Sequence, residues 1–465
     1  MNKQHKLSLF IFRRDLRLND NTALLAALKN SQAVLPCFIF DPRQVEEKNE
    51  YRSTNCVQFM IESLQDLDAA LQDKEAHLYT FYGVAEKVVE EILKTFSVDA
   101  VYVNKDYTPF SRTRDEALEH LCKKMEAHFE SLDDLLLVPP TELLNQQGEP
   151  YKVFTPFFRA ASQRPVAKPF NNHFKNFYTK PVSLPKINLA HELTAKGTIL
   201  TTQNISLAVH GGHRKGHSIL KEIDDFKNYE STRDTPTLPT THLSAHLKFG
   251  TISVRETFYA IQNSLGAHHP LLRQLYWRDF FTHIAWHFPY VFGHAFKPEY
   301  DAVEWDWNKK NFAAWCSGTT GFPIVDAGMR QMNATGFMHN RVRMIVASFL
   351  TKDLHIDWRE GEKYFAQQLV DYDPSVNNGN WQWSASTGAD AQPYFRIFNP
   401  WEQQKKFDPE CDYIKTWVPE LKNYSPKLIH NLFKERVANY PVPIVDHKKE
   451  RLQALAAYKK IKYKD

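Results

Sequence analysis

The sequence predicts a Rossmann-like α/β domain on a parallel sheet, followed by an all-α domain. Three observations predict this fold class. Short runs rich in β-branched and aromatic residues alternate with helix-period segments through the first 138 residues, as in strands joined by crossover helices. From about His210 onward the periodicity is helical and strand-type alternation is sparse. All ten tryptophans lie between Trp277 and Trp417, so the two halves read as domains with different jobs. A large aromatic core accounts for most of the ten equally well.

The 465 residues carry 58 Lys+Arg against 54 Asp+Glu, a formal charge of +4, with 43% apolar and 24% charged residues. This is a globular composition with length for two or three domains, and it excludes a disordered chain. No run approaches the ~18 apolar residues of a membrane span. The apolar stretch Leu7–Phe12, followed by Arg13-Arg14-Asp15, is too short and wrongly flanked for a signal peptide. Five scattered cysteines without a C-x-x-C pair fit a reducing, cytoplasmic compartment and predict neither disulfides nor a metal site.

Strands are expected at Leu7–Phe12, Val34–Phe40, His77–Phe81, Ala100–Val103 and Leu135–Val138, with helices at Asn21–Lys29, Thr54–Leu71, Ala85–Thr95 and Thr113–Phe129. Residues 1–150 hold only Gly83 and Gly148. No G-x-G-x-x-G loop can cradle a pyrophosphate there, and a dehydrogenase reading fails. Eight prolines between Pro139 and Pro185 break regular elements, so residues 139–209 are expected to form a long surface connector between domains at 1–138 and 210–465. In the last of these, amphipathic helices are expected at His217–Tyr229, Val254–Ser264, Leu271–Phe288 and Asn340–Lys352.

Three clusters in this half carry chemistry. Tyr229 is followed by Pro-Thr-Thr-His-Leu-Ser at 239–244, hydroxyls and amides that suit either a phosphate site or an ordinary helix cap. In Gly336–Met344, Asn340, Arg341 and Met344 fall near one helix face. They suit a flat polar ligand, or else a solvated arginine beside a core methionine. The stretch Asp371–Trp383 packs two Asp, three Asn and two Trp into thirteen residues, too polar for a core and too aromatic for an idle loop. Asp371 needs a cation if buried, and Arg343 is the candidate.

These stretches, with Phe12–Asp20, Trp277–Phe281, Gly321–Gln331, Met338–Lys352, Asp357–Gly361, Asn377–Thr387 and Tyr394–Pro400, resemble the photolyase/cryptochrome flavoprotein family. Within it, the similarity is to the microbial cyclobutane pyrimidine dimer photolyases. The resemblance covers essentially the whole chain, with motif order and spacing kept. It implies an α/β antenna domain, a connector and a helical domain that buries FAD, reduced in its active form. It also implies light-driven repair of UV-damaged DNA by a cytoplasmic monomer.

Carried onto these positions, the resemblance places Tyr229, Thr240, Thr241, His242, Leu243 and Ser244 at the FAD phosphates and ribose, with Arg278 adding charge. Asp371, Tyr372 and Asp373 would line the flavin side beside Arg343. Asn377 would stand at flavin N5, where plant cryptochromes carry Asp and many insect ones Cys. Trp277 and Trp383 would stack an extruded lesion over Asn340, Arg341 and Met344. The wider DNA contact set is implied at Gln274, Leu275, Tyr276, Trp277, Arg278, Asp279, Phe280 and Phe281, with Gln403. Trp381, Trp358 and Trp305 would form the relay that reduces oxidised flavin.

Two positions depart from the pattern. Gln274 stands where most dimer photolyases carry Glu, and (6-4) photolyases commonly carry Gln there; those enzymes in turn use His at the place of Asn340. Phe110-Ser111 replaces the amide and carboxylate of folate-antenna relatives, leaving open methenyltetrahydrofolate, a deazaflavin or no antenna. A (6-4) photolyase and a cryptochrome receptor are the alternative functions. The chain ends soon after the resemblance, in a helix-like segment with seven Lys+Arg from Lys448 to Lys464, without the long tail common in cryptochromes. That segment reads as a solvated face or a phosphate contact.

Overall fold

A computed structural model of the chain describes residues 3–192, 199 and 202–462; Lys464 of the basic C-terminal segment lies outside them. Five strands, β1 (His5–Phe12), β2 (Ser31–Phe40), β3 (Tyr79–Tyr82), β4 (Ala100–Asn104) and β5 (His128–Leu132), form one sheet in the order β3-β2-β1-β4-β5. Every pairing is parallel, with Phe10 opposite Pro36 on one side and Tyr102 on the other. Period-two alternation along β1 sends Phe10 and Phe12 into one core and Leu9 and Ile11 into another. Both faces are therefore covered, as parallel sheets require.

Two expectations in this half are corrected. Leu135–Val138 is not a strand: the amides of Leu137 and Val138 donate to the buried carboxyl of Asp279 instead of a neighbouring strand. The fifth strand is His128–Leu132, where the expected helix ran on to Phe129. That helix spans Pro109–Lys124, capped by Thr108, and Glu126 at φ 58° turns the chain out of it.

At the carboxyl ends of β1 and β4, where open α/β sheets commonly bind ligands, ion pairs fill the crevice. Arg13 pairs with Asp115 there, Arg14 with Asp106 and Arg17 with Asp134. Arg14 also pairs with Asp373 of the helical half, so this crevice serves as a seam between domains. The connector is partly structured. It carries a helix at Phe154–Ala161, and Phe177 bridges to Val34 beside the sheet.

The remaining described chain is helical. The expected Val254–Ser264, Leu271–Phe288 and Asn340–Lys352 are found as Val254–Leu265, Pro270–His287 and Asn340–Lys352. The expected His217–Tyr229 is broken into His213–Lys221, a tight turn at Ile223–Phe226 and the short Tyr229–Thr232. Leu220 and Ile223 still enter one core, with Ile219, Phe226 and Tyr229 packed against it, but the backbone leaves helical geometry between them at Glu222 (φ −98°, ψ 17°) and Asn228 (φ −94°, ψ 15°). The main core of this half gathers Trp315, Trp358, Trp381 and Trp401, so the core reading holds for these four.

Candidate functional site

The cleft is built around Asp371. Arg343 donates to both of its oxygens at 3.1–3.2 Å, and Ser244 Oγ donates to Oδ2 at 2.7 Å. The guanidinium is fixed further by Nε to the Met338 carbonyl at 2.8 Å and by the Phe337 ring below it. A planar fork with all its directions used is a rigid element in a site. Two residues on, Asp373 caps the helix Pro374–Ala385 by accepting from Ser375 N and Val376 N. One turn into that helix, Asn377 Nδ2 donates to the Glu362 carbonyl at 3.0 Å. This leaves its Oδ1 without a donor among the described residues.

Across the cleft, a cavity of about 240 Å³ opens between the loop at Pro236–Thr240, His242 and the segment Phe337–His339. His242 opens the helix Leu243–Phe249 at φ 53° and lies 4.4 Å from the Phe337 ring. His339 accepts from Arg341 N through Nδ1, and burial lowers its pKa to about 4. Its Nε2 is buried without a protein partner.

Both readings of the 239–244 cluster have a share. Thr241 Oγ1 caps Leu243 N at 3.4 Å, while Thr240 and His242 line the cavity. Leu243 is corrected, because its side chain belongs to the core and only its backbone faces the loop. Tyr229 is half-buried near His269. Tyr372 stacks on Tyr51 of the α/β half. Arg278 donates to the carbonyls of Leu135 and Leu247, tying the end of the α/β half to the helix Leu243–Phe249.

The expected DNA face divides. Asn340 is exposed, its amide 3.9 Å from Met344 Sδ, and Trp383 is half-exposed. Trp277 keeps one face covered by Phe154, stacked at 3.5 Å and 5°. Gln274 makes only a long contact to the Pro270 carbonyl, and Gln403 has a buried, unpartnered Oε1. Arg341 is committed to Asp234 at 2.8 Å and lies over the Phe407 ring.

Leu275, Tyr276, Asp279, Phe280 and Phe281 are corrected: all five are buried and cannot touch DNA. Consecutive helical residues point about 100° apart, and this helix is packed on several sides. Sequence reasoning also missed Phe154, whose Val153-Phe-Thr-Pro-Phe157 setting carries no periodicity, and Glu362, which reads as an ordinary helix carboxyl. Burial raises the Glu362 pKa to about 8.

Of the relay residues, Trp381 is 2% and Trp358 1% exposed, while Trp305 is half-buried with an unpartnered Nε1. Trp381 meets Phe365 edge-on at 4.9 Å and Trp315 at 6.1 Å. Among the described residues no cluster could hold a metal ion, and no helix is long and apolar enough to cross a membrane.

Fold and cleft together define a two-domain flavoprotein. The sequence profile described as DNA photolyase matches residues 8–173, and that of the FAD binding domain of DNA photolyase matches residues 271–460. A deoxyribodipyrimidine photo-lyase of Alkalihalophilus pseudofirmus is 36% identical over 99% of each chain. The crystal structure of an archaeal photolyase from Sulfolobus tokodaii, described with two FAD molecules, is 45% identical with a TM-score of 0.89, covering 98% of this chain and 100% of that one. A Synechocystis cryptochrome is 28% identical with a TM-score of 0.84, covering 98% and 100%. The chain belongs to the DNA photolyase family, and its helical half is that family's FAD-binding domain. The residues present fit FAD: a hydroxyl-rich loop, an orphaned buried imidazole nitrogen, a fixed Arg343–Asp371 pair and the free amide oxygen of Asn377.

Proposed function

We propose that the protein splits cyclobutane pyrimidine dimers in UV-damaged DNA under blue light. FAD bound in the cleft supplies light absorption and the electron that breaks the ring. The protein's own residues do the rest. Trp277, backed by Phe154, and Trp383 offer two aromatic surfaces for an extruded dinucleotide, each worth ~1–3 kcal/mol per stacked base. Asn340, Met344 and Gln274 face its polar edges. Asn377 Oδ1 can accept a hydrogen bond from a protonated flavin N5, which suits repair. Trp381, Trp358 and Trp305 offer a path from the interior to the surface.

The observation that carries the substrate class is the pair His339–Asn340. The exposed member of the pair is an amide, while the imidazole is buried, serves as a helix cap and stays neutral near pH 7. Dimer splitting needs no proton donor at this point, whereas a (6-4) product needs a titratable group to move a hydroxyl or amine. Gln274 favours the (6-4) reading, but an amide can hydrogen-bond either lesion. The relatives' name, deoxyribodipyrimidine photo-lyase, supports the first reading. The test is chromatography of oligonucleotides carrying each lesion after illumination with reduced enzyme. Restored (6-4) sites beside untouched dimers would overturn it.

The segment where folate-antenna relatives carry an amide and a carboxylate does not fit a pterin. The Phe110 ring has the guanidiniums of Arg43 and Arg114 at 5.1 and 5.9 Å, and Ser111 Oγ donates to Asp106. An antenna, where one binds, is a deazaflavin or a second flavin, as in the Sulfolobus protein.

A further inference from the structure

We propose that Arg273 is a further DNA-contacting residue, whose guanidinium meets a backbone phosphate beside the extruded lesion. The inference rests on the reading that Trp277 stacks a base of that lesion. Arg273 stands one turn before Trp277 on the helix Pro270–His287, and residues four apart share a face. Both side chains meet the same ring. Trp277 is stacked on Phe154 at 3.5 Å, while the Arg273 guanidinium lies over Phe154 at 5.2 Å and over Phe158 at 5.3 Å.

Arg273 is exposed, and among the described residues its guanidinium has no hydrogen bond and no ion pair. Arg341 and Arg343, by contrast, are paired with Asp234 and Asp371. Asp390, which accepts from the Phe154 amide at 3.2 Å, forms no ion pair with Arg273. The stretch that supplies both rings is basic throughout. Between Glu149 and Glu192 the chain carries seven Lys+Arg and no Asp or Glu, in a protein whose whole net charge is +4. The helix Phe154–Ala161 lies within it.

A guanidinium resting on aromatic faces is positioned without spending its donors. The planar fork stays free for an oxyanion, and phosphate matches it. A nucleotide's base hangs from a sugar flanked by phosphates, so a pyrimidine laid on Trp277 brings backbone phosphate to the rim of that indole, where Arg273 stands. Phosphate contacts fix the strand's position and read no base. Arg273 therefore seats the strand, while Gln274 and Asn340 address the lesion.

The experiment titrates the holoenzyme in the dark with a duplex carrying one cyclobutane dimer and with the same duplex undamaged, from 50 to 200 mM salt. Arg273→Gln is expected to bind both duplexes about fivefold more weakly at 50 mM and less than about twofold more weakly at 200 mM, a salt slope shallower by about 0.9. The preference for the dimer duplex is expected to stay at its wild-type value, since a lost phosphate contact weakens all sequences alike. Lys87→Gln, an exposed change of the same charge on the helix Ala85–Thr95, is expected to leave the slope unchanged. An unchanged slope in Arg273→Gln overturns the proposal. So does a lost dimer preference at unchanged slope, which would mean that the arginine only props Phe154 beneath Trp277. An equal slope change in Lys87→Gln overturns it too, by assigning the effect to overall charge. A wild-type protein without preference for the dimer duplex contradicts the repair reading instead, and the slopes on undamaged duplex still decide whether Arg273 meets a phosphate.

Discussion

Gly361 and Trp381 approach so closely that no larger residue fits between their helices. A Cβ on Gly361 would lie 2.2 Å from Cη2 of the Trp381 indole and 2.5 Å from Leu350 Cδ2. The helices Trp358–Gln368 and Pro374–Ala385 therefore touch at a residue without a side chain, and the position of the indole is fixed by that absence.

Gly361→Ala is expected to destabilise the protein by about 1–3 kcal/mol, the usual cost of forcing a methyl group into a packed core. The strain falls on the indole, which packs against Phe365 and Trp315 on other sides and yields only by displacing them. Thermal unfolding measures the first effect, and the rate of flavin photoreduction measures the second. An unshifted melting temperature would show that the helices separate freely.

Trp381→Phe is expected to block photoreduction of oxidised flavin while chemically reduced enzyme still repairs. Trp381 and Trp358 are buried and Trp305 reaches the surface, an order suited to carrying charge outward and lying apart from the Asn340–Met344 face. The smaller ring leaves a partial cavity costing on the order of 1–2 kcal/mol, which a melting curve reports separately. Loss of repair with pre-reduced flavin would contradict the relay assignment.

Glu362→Gln is expected to stabilise the protein, and increasingly so as the pH rises. The Glu362 carboxyl is 4% exposed and accepts from Asn378 Nδ2 at 3.1 Å, and burial raises its pKa from 4.5 to about 8. A carboxyl with a raised folded-state pKa favours the protonated fold. Its ionisation in the unfolded chain costs stability from pH 4.5 upward, and the cost levels off above about 8. Glutamine resembles the protonated form and carries no such penalty. Melting temperatures of both proteins from pH 5 to 9 should diverge with pH; parallel curves would show that the carboxyl ionises freely.

The parts of this molecule that declare themselves in the sequence do so through local density or period. Asp371 and Arg343 were readable as partners because a buried carboxylate in a polar, aromatic stretch demands a cation, and they are paired. The strands β1, β2 and β4 were readable because both their faces are apolar. By contrast β5 is an edge strand with Glu130 in it and only half-buried, so its pattern passed for the end of a helix. Leu135–Val138 looked like a strand because this apolar run at the end of the first domain packs against Asp279 and the Pro270–His287 helix. The contact stretch Gln274–Phe281 could not be sorted by sequence. Which of its faces meets solvent depends on Phe154 and Phe157, more than a hundred residues away.

Asn340→Ala is expected to weaken binding of dimer-containing DNA about tenfold and to leave the flavin absorption spectrum unchanged. The amide is exposed at the start of the helix Asn340–Lys352, and its close side-chain neighbour is the Met344 thioether, a weak acceptor. Its donors and acceptor are therefore available to a pyrimidine edge. Losing such hydrogen bonds costs about 1–1.5 kcal/mol, and tenfold corresponds to ~1.4 kcal/mol. The Arg343–Asp371 pair is held by its own hydrogen bonds with Met338 and Ser244 and takes none from Asn340, so the cofactor spectrum should not move. Arg341, committed to Asp234 and Phe407, cannot substitute for the missing amide. Asn340→His is the companion variant: it supplies an exposed imidazole where the wild-type protein has none. Binding of both lesions is measured by titration at two salt concentrations, since phosphate contacts make total affinity fall with salt while a base-edge contact leaves the salt slope alone. A loss in Asn340→Ala that appears only as a changed slope would mean that the residue contacts the backbone and reads no base.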